Sequence, residues 1–525
     1  MSNVTEAWLL NNTVRRCVLV VIQYFDVIAV TDTGKYMYLG TKGYTPTNGE
    51  ITFIPIITGG LKFDENLSID GGLSATVGDI EINNPNGEYD TWLDSTKYIW
   101  ANRTVKIYYG DPDWVSADLA TTYTNFELIF DGLLVDIGSR SRDKLNFRIR
   151  DKMERLNAPL TETKLGVYGT WGTNQQPNVD ATKPLVFGEV FNITPLQIDP
   201  STLEYMVNSG VTEGLIEVRD NGVPIYNSGL TGGANVTNLA TAGTFKLNQA
   251  LAGVATCSVQ GVKRSINLTT QVESATYANN IANLVALITM KFGKSYTQLV
   301  AADIDFTNFL AYETANNIPV GIYVTDGASV LEVCKQLCSS LATQLFFNRQ
   351  GKLQLLKLGV PTSDTNIDIT DRDILFHSLS ITARTEVMAT VKLGYCKNWT
   401  VQEGLVTGIP QAHKDMFATD WMTYTPTVDS TVQSRYKLTS DPVQKDTALL
   451  TTSNATTEAN RLQTYYKVPH TVYSFVGTPR MMLLKLGQPV TLTHSRFGLN
   501  SGASGQVVAL SPNWSTGQVN VGVLI

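Results

Sequence analysis

The sequence predicts a mainly β, multi-domain protein with a few α-helices, and three observations carry that expectation. Apolar and polar residues alternate with a two-residue period over much of the chain, most densely between Asp79 and Leu160. Glycine, proline, asparagine and aspartate break these runs at short intervals. The 3.6-residue apolar spacing of an amphipathic helix is confined to a few stretches in the second half. At 525 residues the chain also exceeds one ordinary core, because domains run to roughly 100–200 residues.

Taken in order, residues 14–63 read as strands at 17–25, 35–39 and 51–57, the first two joined through Thr31-Asp32-Thr33-Gly34. Tyr36, Tyr38 and Tyr44 invite comparison with a sugar-stacking patch, but aromatic residues on neighbouring strands usually pack across the sheet, and packing is the expectation. Farther on, Val105, Ile107 and Tyr109 alternate with Thr104, Lys106 and Tyr108, and Leu145, Phe147 and Ile149 with Asn146, Arg148 and Arg150. Each run therefore has one apolar face. Turns at Asn84-Pro85-Asn86-Gly87, Gly110-Asp111-Pro112 and Gly138-Ser139-Arg140-Ser141 separate the strands, which predicts an antiparallel meander closing into a barrel.

After Pro159 the texture changes to a loop over 166–177, and the segment 183–190 follows with Gly188 placed for a bulge or a close backbone approach. Residues 196–268 read as short strands with turns at Asp220-Asn221-Gly222 and Thr231-Gly232-Gly233, the first a strong hairpin signal. Ile281, Leu284, Val285, Ile288 and Phe292 share one helical face, as do Val330, Cys334, Leu337 and Leu341. A hairpin turning at Asn348-Arg349-Gln350-Gly351 comes next. Strands are then expected at 380–382, 389–395 and 398–402, and a loop-rich span to about 446 leads to a helix over 455–467 capped by Ser453 or Asn454. Strands at 481–484, 488–492, 505–510 and 518–525 end the chain.

Charge and composition exclude several classes. A formal net charge of -7 with no basic cluster argues against broad phosphate contact, which needs grouped Lys and Arg. No run approaches the roughly 20 apolar residues of a membrane helix, and no signal peptide or membrane anchor is expected. Cys17, Cys257, Cys334, Cys338 and Cys396 are odd in number and scattered, so a reducing compartment fits better than a disulfide framework. Cys334 and Cys338 are helical neighbours, but with no matching Cys or His cluster they read as buried apolar residues. Asn-x-Ser/Thr triplets at Asn102, Asn267 and Asn398 reflect the abundance of Asn and Thr.

No motif of metal, nucleotide or nucleophilic catalysis is present, so no catalytic residue, cofactor or metal is assigned. His377, His413, His470 and His494 are dispersed, and His494 and Ser495 would point to opposite faces of a strand. Paired carboxylates, the requirement of a glycan hydrolase, are available at Asp64-Glu65, at Asp303 with Asp305, and at Asp371 with Asp373, the last reading as a solvated turn.

The segments EINNPNGEYD (81–90), NRTVKIYYGD (102–111), FDGLLVDI (130–137), LNFRIRDKMERLNAPL (145–160) and PLVFGEV (184–190) together resemble the baseplate hub proteins of long-tailed bacteriophages. So does the ending, with Leu486-Gly487-Gln488-Pro489-Val490, Arg496-Phe497-Gly498 and a hairpin at Trp514. The resemblance implies two tube-like antiparallel β-barrel domains, at 1–160 and, with one helix, at 366–525. Between them come a linker and small inserted β domain at 161–270 and a helix-containing α+β domain at 271–365. It implies a non-enzymatic virion protein made in the bacterial host cytoplasm and placed at the distal tail tip, a homotrimer whose doubled barrels match a sixfold tube to a threefold tip. Its implied partners are the tail tube or distal tail protein, the tape-measure protein and a central tip or fibre protein. DNA would pass through without specific binding, for which acidic and polar walls are suited. Asp79 and Glu81, on one face of the strand carrying Ile80 and Ile82, are the candidate lumen or interface residues. Two alternatives remain: a receptor-binding adhesin working through 196–268, and a tail-borne cell-wall or polysaccharide hydrolase using a carboxylate such as Asp303 or Asp373.

Overall fold

The computed structural model describes residues 3–11, 13–47, 49, 51–68, 77–115, 123, 125–166, 178–227, 235–359, 367–439 and 441–525. All of the expected loop over 166–177 but Gly166, and the turn Thr231-Gly232-Gly233, lie outside them. The described residues are mainly β in several sheets with a minority of helix, as expected.

The largest sheet has 13 strands. Its order runs from Ser380–Arg384 through Thr471–Gly477, Gln518–Leu524 and Ala503–Asn513 to Ile57–Asn66, then Val77–Asn83, Lys144–Arg150, Glu127–Ser141, Thr104–Gly110, Cys17–Gln23 and Tyr36–Gly40. Ile367–Ile369 and Pro489–Leu492 attach beside it. The two expected barrels are thus not closed barrels among the described residues. The physical reason is edge use: strand 57–66 pairs on its second edge with strand 503–513, Leu510 opposite Glu65, so that edge is not available to close the first meander. The far edge of strand 36–40 is instead met by Ile54, whose carbonyl accepts from Gly40 N–H at 2.8 Å.

The alternation read from sequence sets the buried face. Val105, Ile107, Tyr109, Ile80, Ile82, Leu145, Phe147 and Ile149 enter one apolar core together with Val490, Val507, Leu510, Val521 and Val523 from the other end of the chain. Phe63 stacks on Phe130 at 5.1 Å, and Tyr109 meets Trp514 edge-on at 4.9 Å. Strand 17–23 is buried on both faces, since Cys17, Leu19 and Val21 join a second cluster with Tyr44, Phe53 and Tyr108. Tyr36 and Tyr38 pack against that cluster, so these aromatics serve cross-strand packing.

Leu185–Ile193, Ala255–Val262, Thr212–Asp220, Val223–Asn227 and Gly321–Val324 form a second sheet, with a four-stranded sheet of 196–247 against it. The hairpin turn at Asn221-Gly222 has φ of 46° and 86°, the paired positive angles that suit a two-residue β-hairpin loop. Helices Ile281–Lys291 and Val330–Ser339 occur where expected, the second opened by a capping box between Ser329 and Glu332. A helix at Phe306–Ala315 and a strand at Thr471–Gly477 occur where no such element is expected from the sequence.

Several local expectations are corrected. Within residues 51–57, Phe53 and Ile54 form only isolated bridges, to Tyr44 and Leu39, and a strand starts at Ile57. Strand 127–141 runs through Gly138–Ser141, so the turn falls after it. The stretch 398–402 is not a strand: Asn398 Oδ1 accepts from Thr400 N–H at 3.2 Å, a local turn, while its amide nitrogen donates to Phe417 O and Thr419 O. Pro479–Leu483 is a 3-10 turn with proline at its start, where fixed φ and the missing N–H are tolerated. The late helix begins at Thr452 and is capped by Thr451, whose hydroxyl accepts from Asn454 N–H.

Candidate functional site

The strands at 57–66, 77–83, 144–150 and 127–141 turn their apolar face into the shared core, which leaves their other face polar. Asp79 and Glu81 lie on that face, opposite Arg148 and Asn146 in register. Neither carboxylate stands alone. Asp79 is ion-paired with Arg140, and Glu81 with Lys144 Nζ at 2.6 Å. Asp136 sits opposite Arg148, and Arg150 Nη2 donates to Asn102 Oδ1 at 2.9 Å. The surface is a set of alternating charges rather than an acidic wall. Its basic members lie about 60 positions away in sequence, so only the pairing of strands brings them to Asp79 and Glu81.

Behind this face, a junction ties the sheet to the helical region; the sequence singles out its Asp303 and Glu65 as carboxylates but not their partners Lys152 and Arg349, nor Asp131. Lys152 Nζ bridges Asp303 at 2.7 Å and Asp131 at 3.1 Å, with Lys152 only 5% exposed. Burial pushes the Asp131 carboxyl above the usual carboxylate range, against the lowering influence of the Lys152 ammonium. The hairpin turn at Asn348–Gly351 reaches the same region: Arg349 Nε donates to Glu65 Oε1 at 3.1 Å and its Nη1 to Met482 O at 2.9 Å. Burial likewise raises the Glu65 carboxyl, with Arg349 opposing. The hairpin signal locates the turn. Nothing local marks Arg349 as the residue that meets both ends of the chain.

The carboxylates weighed as hydrolase candidates are held by structural partners. Asp305 caps helix 306–315 by accepting from Asn308 N–H at 3.1 Å, and Asp373 accepts from Thr370 N–H at 2.9 Å and Arg480 at 3.0 Å. His494 accepts from Arg496 N–H at its Nδ1, 3.0 Å away, and turns Nε2 to Asp371 at 3.2 Å, so neither nitrogen is directed to Ser495. His470 stacks on Tyr465 at 4.1 Å. Cys334 and Cys338 are buried in the helical core, and burial pushes the Cys338 thiol up to about 12, far from a thiolate ligand. Among the described residues, no group of three or more His, Cys, Asp or Glu is arranged to hold a metal.

No protein-family model and no curated protein matches the chain. Among solved structures it is similar to the 43 kDa tail protein of prophage MuSo2 from Shewanella oneidensis, with a TM-score of 0.40 and 10% identity over 97% of this chain and 98% of that one. It is also similar to a tail protein from Neisseria meningitidis MC58, with a TM-score of 0.38 and 8% identity over 97% and 96% of the two chains. A third similarity is to a chain of a native gene transfer agent virion, with a TM-score of 0.41 and 13% identity over 71% of this chain and 91% of that one.

Proposed function

We propose that this protein is a structural, non-enzymatic component of a bacteriophage tail: a homotrimeric hub at the distal end of the tube that anchors tip or fibre proteins and forms part of the path for DNA. The observation that carries the reading is the 13-stranded sheet, which joins strands from both ends of the chain over one core and carries paired charges on its other face. A chain that contributes two sets of tube-like strands counts twice around a ring, so three copies present a pseudo-sixfold rim to a tube and a threefold face to a tip. Asp79 and Glu81 would face the lumen or a neighbouring subunit. Their pairing with Arg140 and Lys144 suits a DNA path, because a basic group already held by a carboxylate gains little by binding a passing phosphate.

Antibodies raised against residues 196–268 and imaged on intact particles test this. Label confined to the distal tail tip is the expected result. Label along projecting fibres would make the protein an adhesin, and absence of label from any phage particle would remove the tail reading.

A further inference from the structure

We propose that a cavity where the two ends of the chain meet the hairpin turn at 348–351 binds an ammonium group carried on a short alkyl stem. The cavity measures about 200 Å³, and its wall includes Glu65, Glu127, Asp305, Phe346, Leu486 and Trp514. A cavity of about 150 Å³ already admits benzene, so a four-carbon stem with its ammonium fits.

The way Glu65 is held points to the ligand. Elsewhere in the chain arginine grips glutamate with one nitrogen on each oxygen: Arg219 Nε and Nη2 donate to Glu217 Oε2 and Oε1, and Arg461 Nε and Nη2 to Glu458 Oε2 and Oε1. Arg349 does not. Its Nε and Nη2 both lie 3.1 Å from Glu65 Oε1, and its Nη1 is turned to Met482 O. Glu65 Oε2 is left with no hydrogen-bond partner among the described residues, on a side chain whose residue is only 4% exposed. Oε2 is nevertheless not sealed off from water, and the accessible space that Glu65 borders is this cavity.

The rest of the wall sets charge and shape. Glu127 has no ion pair or hydrogen bond from its side chain among the described residues, and Asp305 accepts only from neutral donors, Asn308 N–H at 3.1 Å and Gln354 Nε2 at 2.7 Å. Against these carboxylates stand Arg349, already committed, and Lys485, which is exposed and screened by solvent. The acidic groups do not converge as metal ligands, since among the described residues no group of three or more His, Cys, Asp or Glu is arranged to hold an ion. An alkylammonium answers both charge and shape: its head donates to Glu65 Oε2, and its stem lies against Phe346, Leu486 and Trp514. Leu483, 39% exposed, and the exposed Gln350 also line the cavity and open it to solvent.

The test titrates the full chain with n-butylammonium chloride and, separately, with n-butanol, which has the same stem and a neutral head. n-Butylammonium is expected to bind about ten-fold more tightly, through its attraction to carboxylates in a partly dry wall. Glu65→Gln keeps the side-chain shape and is expected to bring the two affinities within about two-fold of each other. Glu127→Gln, which breaks no bond among the described residues, is expected to weaken n-butylammonium about three-fold and to leave n-butanol binding and the melting temperature unchanged. Burial raises the Glu65 carboxyl, so lowering the pH into the carboxylate range protonates it and should reversibly erode the preference in the unaltered chain. Nα-acetyl-lysinamide identifies the source of the ammonium. Binding comparable with n-butylammonium assigns it to a partner's lysine, and binding of n-butylammonium alone assigns it to a free amine. Absence of saturable n-butylammonium binding, equal affinities for the two probes, or a preference untouched by Glu65→Gln overturns the proposal. Should Glu65→Gln fail to fold, Glu127→Gln and the pH profile of the unaltered chain decide, and a preference that survives both overturns it.

Discussion

Arg140 and Lys144 each face a carboxylate two strands or one strand away, and the consequence of removing those carboxylates is specific. Asp79→Asn with Glu81→Gln frees two cations on the polar face of the sheet. Because exposed pairs contribute only about 0–1 kcal/mol each, the folded chain should persist with little change in melting temperature. Affinity for non-specific duplex DNA should rise, and the plot of log K against log salt concentration should steepen by up to about 0.9 for each cation that engages a phosphate. Filter binding at several salt concentrations measures this, and an unchanged slope would show that Arg140 and Lys144 were never restrained by their partners. At this scale the sequence is half legible. Alternation places Asp79 and Glu81 together on the face opposite Ile80 and Ile82, but the charge of that face depends on Arg140 and Lys144, whose register no local pattern reveals.

Gly188 shows how an element depends on what crosses it. The strand Leu185–Ile193 pairs with Gly321–Val324 so that Gly188 lies opposite Gly321, and Gly188 has φ 69°. A Cβ there would lie 1.9 Å from Val320 O, a distance no rotamer relieves because the obstacle is backbone. Gly188→Ala should therefore destabilise the chain by about 2 kcal/mol or more, from the strained φ and the displaced strand together, read as a fall in the denaturation midpoint. Gly138→Ala, where a Cβ meets nothing within 4 Å, is the control expected to cost little. The close approach at Gly188 is legible in the sequence because a glycine interrupts an otherwise apolar strand. Helix Phe306–Ala315 was harder to read: its buried residues are Phe306, Phe309 and Tyr312, a thin stripe among Asn and Thr that could equally mark a loop. Its cap, Asp305, is an ordinary N-terminal signal that becomes meaningful only once the helix is known.

Across the whole molecule, the sequence shows two β-rich ends and a helical middle, and each end taken alone looks like a domain. Strand alternation is a local property, however, and it carries no information about which edge meets which. The pairing of strand 57–66 with strand 503–513, and the Arg349 side chain between Glu65 and Met482, join segments more than 400 and 280 positions apart in a single core. If that core is one cooperative unit, a lesion at one end must weaken the other. Leu510 is 1% exposed, and Leu510→Ala should cost about 2–5 kcal/mol through lost burial and the cavity left behind. Native-state hydrogen exchange should then show the slowest amides of strands 77–83 and 144–150 losing the same protection as those of strands 503–513 and 518–524, since all of them would open only with the whole core. Loss of protection confined to the C-terminal strands would instead mean that the two ends unfold independently, with the seam at Leu510 and Glu65 acting as a contact between two domains rather than as part of one.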